Sequence, residues 1–494
     1  SEILSVAWLL DAKGRATFQD MFRTPENTVS RPANGEESAV QFHYSERGDE
    51  FLGREEKLRR IEAEFLDFPE TLRQPEDAFR WMAICGEAGT GKSRLAQEII
   101  HRNLARFRLA GFASDSLLSN PRFARENQDR ITEPVLIVID YTVGHQDRIP
   151  EFMKGWVDHA REAARRGGPP VRIILLLRRP DDRILDDIRS LGGNSADRLL
   201  ADGEMFGKDD PMLLQHLTQE ETLALMRARI RRTAEAHDED EVETSDDGAL
   251  LETLKRFDEE MRPLFAIMVA YAMQRGTLEG TESGEDQESA RFQLFSSYLK
   301  GQWRNYWRIR AGSGSTSLET VDEIVTVHAN LMRICTACGE RERTDIERFL
   351  KTLAKEDEDI ADLLPSARRR SEHAIRDRLV VSMAGGRGEM KGGVVDPFPT
   401  LEPDLIGECF LLMSWEDLGI DRALWCGTGD IIGMAWGIDP DRTGNFLRLM
   451  ALDYPRRMQA ANWFPVPLHD LRAARARARL LRNISRDTSY HARS

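Results

Sequence analysis

The sequence predicts an α/β fold: a parallel sheet covered by helices on both faces, followed by a mainly helical second half. Three observations predict it. Four short apolar runs, at residues 81–85, 108–113, 135–139 and 171–177, alternate with helix-periodic segments such as residues 150–165. Runs this short and mainly apolar, that at 135–139 continuously so, suit strands buried on both faces of a parallel sheet. The first run leads straight into a glycine-rich turn and then a helical pattern. Beyond residues 212–217 the periodicity becomes helical almost throughout.

Taken in order, residues 1–48 are mixed and polar and read as an N-terminal extension or the remnant of an effector. Gly53-Arg54-Glu55-Glu56 opens a segment with Leu58, Ile61 and Phe65 at helical spacing. The sheet domain is expected over 49–205. Thr218 followed three residues on by Glu221 is a capping box that opens a helix to about Ala236. Further helices at 248–260, 262–275 and 290–310 complete a helical domain over 206–312. A flexible linker at 312–317 precedes a mixed domain over 313–413. There, helices at 319–336, 344–355 and 366–378, a strand at 379–383 and a glycine-rich turn at 385–393 suggest a winged-helix-like module. Residues 414–494 read as helical. No fixed-period repeat is visible.

The 494 residues leave room for two to four domains. With 41% hydrophobic and 31% charged residues the chain reads as globular, and no apolar run reaches the length of a membrane span. No signal-peptide pattern opens the sequence. Five scattered cysteines point to reduced thiols and a cytoplasmic setting. A net charge of −15 argues against polyanion binding by the chain as a whole, though not by a local basic patch. The start at Ser1 and the basic C-terminal stretch fit a fragment of something longer.

The chemistry is concentrated in Gly86-Glu87-Ala88-Gly89-Thr90-Gly91-Lys92-Ser93-Arg94. Gly-x-x-x-x-Gly-Lys-Ser between a strand and a helix is the phosphate-binding pattern. Its glycines let main-chain N–H groups curl round an anion, and the helix start adds partial positive charge. Lys92 is expected to hold terminal phosphates, and the Ser93 hydroxyl a Mg²⁺ ion. Asp140, at the end of the 135–139 run, is the expected second metal-site residue, holding a water on Mg²⁺. Arg178 and Arg179 follow the 171–177 run at its carboxyl end, outside which open α/β sheets bind ligands. Arg178 is the better candidate to sense the γ-phosphate. Tyr141 stands where many ATPases with an extra central strand carry a water-orienting glutamate. The general base is thus unassigned, with Asp147 or another carboxylate open.

Together, Gly53-Arg54, the loop, residues 136–140, Arg178 and Arg262-Pro263-Leu264 resemble the P-loop ATPases of signal transduction with numerous domains, the group of the NACHT and NB-ARC switches. The resemblance covers roughly residues 50–310. It implies a P-loop NTPase sheet with a helical lid, ATP/ADP and Mg²⁺ as ligands, slow regulatory ATPase activity, and homo-oligomerisation on activation with an effector or sensor partner. Antiviral defence and signalling are typical roles of such bacterial proteins. It also implies that Gly53 and Arg54 lie near base or ribose and that Pro263 packs near adenine. The family's Gly-x-Pro motif is altered here, because Met261 takes the glycine's place. ATP is preferred over GTP, since no Asn-Lys-x-Asp segment is present.

Other signals read as structure. Cys335-x-x-Cys338 has no second pair and suits two buried thiols. Trp303 and Trp307 suit a packed helix face. The arginines of 471–486 suit a solvated or docked helix, or a nucleic-acid contact. Two alternatives follow: a DNA-associated AAA+ ATPase using the winged helix and the Arg-rich end, and a scaffold that binds nucleotide without hydrolysing it.

Overall fold

The apolar runs pair in an order that brings the phosphate-loop strand and the acidic strand to either side of a third. The structure, a computed structural model, describes residues 22–23, 51–69, 75–113, 115–118, 120–140, 148–179, 183–191, 200, 202–207, 210–242, 246–278, 286–303, 318–339, 390–391, 394–395, 401, 404–418 and 425–460. The main sheet contains β1 (Phe22–Arg23), β2 (Phe79–Cys85), β3 (Leu109–Ala113), β4 (Val135–Ile139), β5 (Val171–Leu177), β6 (Glu204–Met205) and β7 (Met212–Leu213). Their order is β1-β3-β4-β5-β2-β6, with β7 pairing farther along β2. All pairs are parallel except β1 with β3. In register, Ile139 lies beside Leu175 and Cys85 beside Leu177. The carboxyl ends of β2, β4 and β5 therefore lie side by side.

β4 and β5 are buried at every position, β4 with an unbroken apolar sequence and β5 with one interruption at Arg172. Odd-numbered residues, among them Trp81, Ala83, Ile137 and Ile173, join one apolar cluster with Phe152, Met153 and Trp156 of the helix Ile149–Arg166. That shared face is the period-2 alternation of strands meeting the 3.6-residue stripe of a helix. At the opposite end of the sheet the fully buried Arg172 donates to the carbonyls of Phe65, Asp67, Asp77 and Val171. Burial pushes its guanidinium down to about 9. Four accepting carbonyls supply the hydrogen bonds that a buried cation needs.

The segment after Gly53 is helical as expected, Glu55–Arg60 running on into a π-helical turn at Ile61–Phe65 that buries Leu58, Ile61 and Phe65. The capping box is present in both directions: Thr218 N donates to Glu221 Oε2 at 2.8 Å, and Glu221 N to Thr218 Oγ1 at 3.2 Å. It opens the helix Gln219–His237.

The chain divides into two compact units. One holds Glu50–Glu221 and Arg262–Leu264 with β1; the other holds Thr222–Met261 and the residues from Phe265 onward. The second unit is helical, with Asp247–Phe257, Gln287–Gln302, Leu318–Cys338, Asp404–Leu412, Thr428–Ile438 and Pro440–Asp453 its longer helices beside the one begun at Pro263. Cys335 and Cys338 are buried free thiols in one of its apolar clusters. Trp303 is buried and packs edge-on to Trp425. Asp258, fully buried, accepts from Arg291 Nη2 at 2.7 Å. A two-stranded pair, β8 (Met390–Lys391) and β9 (Val394–Val395), lies at the expected glycine-rich turn. The helices expected at 344–355 and 366–378, the strand at 379–383, the linker at 312–317, Trp307 and the Arg-rich 471–486 lie outside the described residues. Among the described residues, no helix is long and apolar enough to cross a membrane.

Candidate functional site

The Gly86–Ser93 loop joins β2 to the helix Lys92–Asn103, as the motif spacing predicts. Gly89 and Gly91 sit at φ +81° and +91°, a left-handed backbone that a side chain would strain. The loop's carbonyls are directed to donors of the chain itself. Lys92 Nζ donates to Gly86 O at 2.7 Å and Glu87 O at 2.8 Å. Arg262 Nη1 donates to Ala88 O at 3.2 Å. Leu264 N donates to Gly89 O at 3.2 Å and Leu95 N to Gly91 O at 2.9 Å. Arg54 Nη2 approaches Thr90 O at 3.5 Å, the long limit of a hydrogen bond. In a trans peptide C=O and N–H point opposite ways. Ala88 O, held by Arg262, therefore turns the Gly89 N–H of the same peptide unit the opposite way, as an anion-binding nest requires, whereas Thr90 N is taken by Glu87 O at 3.4 Å. The helix start adds N–H groups that have no intrahelical acceptor.

Ser93 Oγ donates to Asp140 Oδ2 at 2.6 Å, so residues far apart in sequence meet at the carboxyl end of the sheet. These are two hard oxygen donors, one of them half-buried and anionic, beside a loop suited to phosphate. That set fits Mg²⁺, which takes one or two protein oxygens and completes its shell with phosphate and water. Among the described residues, no cluster of three or more His, Cys, Asp or Glu forms a self-sufficient metal cage. Arg178 and Arg179 follow β5, which lies between β2 and β4. Gly86 N donates to Leu177 O at 3.1 Å, so Arg178 begins beside the start of the loop. Both arginines are half-buried. Tyr141 and Asp147 lie outside the described residues.

Gly53, at φ +69°, passes against Glu221, whose carboxyl atoms would lie 2.6–2.7 Å from an added Cβ. The buried Arg54 guanidinium donates to Gln215 O at 2.5 Å. Burial lowers its pKa, opposed by the Glu221 charge. Its hydrogen bonds go to main-chain carbonyls, which braces the loop against residues 214–215. Arg94 pairs with Glu98 at 3.1 Å and lies over the Phe51 ring. Pro263 opens the helix Pro263–Gln274 directly between Arg262 and Leu264.

Two contributors were not evident in the sequence. β7 lies parallel to the end of β2, and Leu214 N donates to Cys85 O at 2.7 Å, which lines the loop with residues 212–215. Arg262 is 3% exposed, and its side chain is turned onto the loop. The only signal for the second was its place in the Arg-Pro-Leu triplet.

No protein-family model and no curated protein matches the sequence. Among solved structures, that of the Aeropyrum pernix ORC2 protein in ADPNP–ADP complexes is similar at 13% identity, covering 79% of this chain and 97% of that one, with a TM-score of 0.32. A likeness that distant carries no functional argument. On its own geometry the first unit is an α/β fold, a parallel sheet with β5 interposed between β2 and β4 and a glycine-rich loop leading from β2 into a helix.

Proposed function

We propose that the chain is an ATP-binding and slowly hydrolysing switch of the signal-transduction P-loop class, changing conformation and assembling on a trigger, with antiviral defence or signalling as its setting. The observation that carries the reading is the 2.6 Å Ser93–Asp140 bond beside a glycine-rich loop whose carbonyls are held by Lys92 and Arg262. It supports a site for a polyphosphate and a divalent ion.

In this reading the loop amides and Lys92 hold the phosphates. Ser93 and Asp140 would hold Mg²⁺, whose charge offsets that of the phosphate oxygens. Arg178, always charged and forked, reaches the γ-phosphate and distinguishes ATP from ADP. Gly53, Pro263 and the backbone near Gln215 surround the base, and Arg54 braces that wall. Different contacts with di- and triphosphate bias a two-state element, which is the physical content of a switch.

Mass measurement with ADP, with a non-hydrolysable ATP analogue and without nucleotide tests the proposal. Assembly only with the triphosphate is expected. A mass indifferent to nucleotide, with no heat of binding for either, refutes it. ATPase activity strongly stimulated by DNA and steeply salt-sensitive binding would instead favour the DNA-associated reading.

A further inference from the structure

We propose that Arg262 is a positioning residue for the phosphate loop, and that its pairing with Glu87 sets how fast a bound adenine nucleotide leaves. The inference rests on the nucleotide-binding reading above and names a control of that same site.

Four observations carry it. Arg262 Nη1 is shared between Ala88 O at 3.2 Å and Glu87 Oε2 at 3.3 Å. Leu264 N takes the next carbonyl, Gly89 O, at 3.2 Å. One three-residue segment therefore grips two successive carbonyls of the loop. Beyond Glu221, those three residues alone group with the sheet unit. The residue before them, Met261, has φ +54°, a left-handed backbone that a non-glycine residue adopts at a cost. Such strain persists only where surrounding contacts over-determine it, and it gathers at switch regions.

The consequence follows from peptide geometry. Holding Ala88 O on the Arg262 side turns the Gly89 N–H of the same planar unit the opposite way. Arg262 thus aims an amide at the anion without touching the anion. Glu87, with its side chain 55% exposed, holds the same nitrogen and so fixes which way the buried guanidinium faces. Freed from this grip, the loop relaxes and nucleotide escapes sooner. An arginine bound to a carbonyl from a buried position is a strong restraint, whereas the ion pair to an exposed carboxylate is a weaker one.

The test is the dissociation rate of a fluorescent ADP from the full chain with magnesium present, by stopped-flow chase. Arg262→Met is expected to release it about tenfold faster and Glu87→Gln about threefold faster. The double variant should release no faster than Arg262→Met alone, because the carboxylate acts only through the arginine. Arg262→Lys, which keeps the charge but loses the fork, should fall between. Circular dichroism and gel filtration of each variant separate the effect from loss of fold. Should Arg262→Met fail to fold, Glu87→Gln at its exposed position decides. Release at the wild-type rate by the folded variants, or rate effects that multiply in the double variant, overturns the pairing. Absence of any ADP binding by the wild type overturns the nucleotide reading itself, and the inference with it.

Discussion

Asp140→Asn separates the metal role of this residue from its structural role. Ser93 Oγ donates to Asp140 Oδ2 at 2.6 Å, and an asparagine carbonyl oxygen accepts the same bond. The protein without ligand should therefore keep its fold and its melting temperature. What disappears is one negative charge at the carboxyl end of β4. At an effective dielectric of about 20, two unit charges about 4 Å apart attract by about 4 kcal/mol. Asp140 is half-buried rather than enclosed, so screening reduces the loss to about 2–3 kcal/mol. That is about 30- to 150-fold in an equilibrium constant. Titration calorimetry with ADP plus magnesium, and with ADP plus a chelator, reads it. Wild type should bind much more tightly with magnesium, and Asp140→Asn should bind about equally in both. A variant that keeps the full magnesium dependence would show that Asp140 is a spectator and that the metal site is misplaced.

Arg178→Ala should bring ATP and ADP affinities about tenfold closer together with the ADP affinity unchanged, as measured by competition against a fluorescent nucleotide. An unchanged ATP-to-ADP ratio removes Arg178 from the sensing role. Gly53→Ala should lower stability by about 1–3 kcal/mol in denaturant titration, because its φ is +69° and the new Cβ meets the Glu221 carboxyl group at 2.6–2.7 Å. A neutral result would mean that the segment and the capping carboxylate shift apart freely. His159 is buried against Trp156, and burial pushes its pKa down to about 4 from an ordinary 6.5. The unfolded chain therefore holds the extra proton between those values. Stability is full above about 6.5 and falls by about 3 kcal/mol as pH drops to about 4. His159→Phe should flatten the denaturation midpoint over that window relative to wild type. Equal slopes would locate the acid sensitivity elsewhere.

The parts of this fold legible in the sequence are those that local chemistry decides. β4 could be read residue by residue, because continuous burial demands continuous apolar sequence, and β5 nearly so, Arg172 being its one polar residue. The Thr218–Glu221 cap needs only a hydroxyl and a carboxylate three residues apart, and it formed as read. The turn from β2 into the next helix was legible because its glycines fall where the backbone is left-handed. β1, β6 and β7 were not legible, since a two-residue strand has no period and exists only where another strand offers free peptide groups. Sequence likewise allowed Arg54 and Arg262 to be named but not aimed. Their guanidiniums end on Gln215, Thr90 and Ala88 carbonyls, up to 174 residues away along the chain. A long cation has many partners of equal local merit, and only the packed chain, which excludes water and presents particular carbonyls, selects among them. Sequence alone thus determined that a glycine-rich loop follows a buried strand and that a strand ending in Asp140 lies downstream. Tertiary structure decided that the two meet at Ser93 and Asp140, and which arginines bond to the loop's carbonyls, because those contacts depend on the strand order of the sheet.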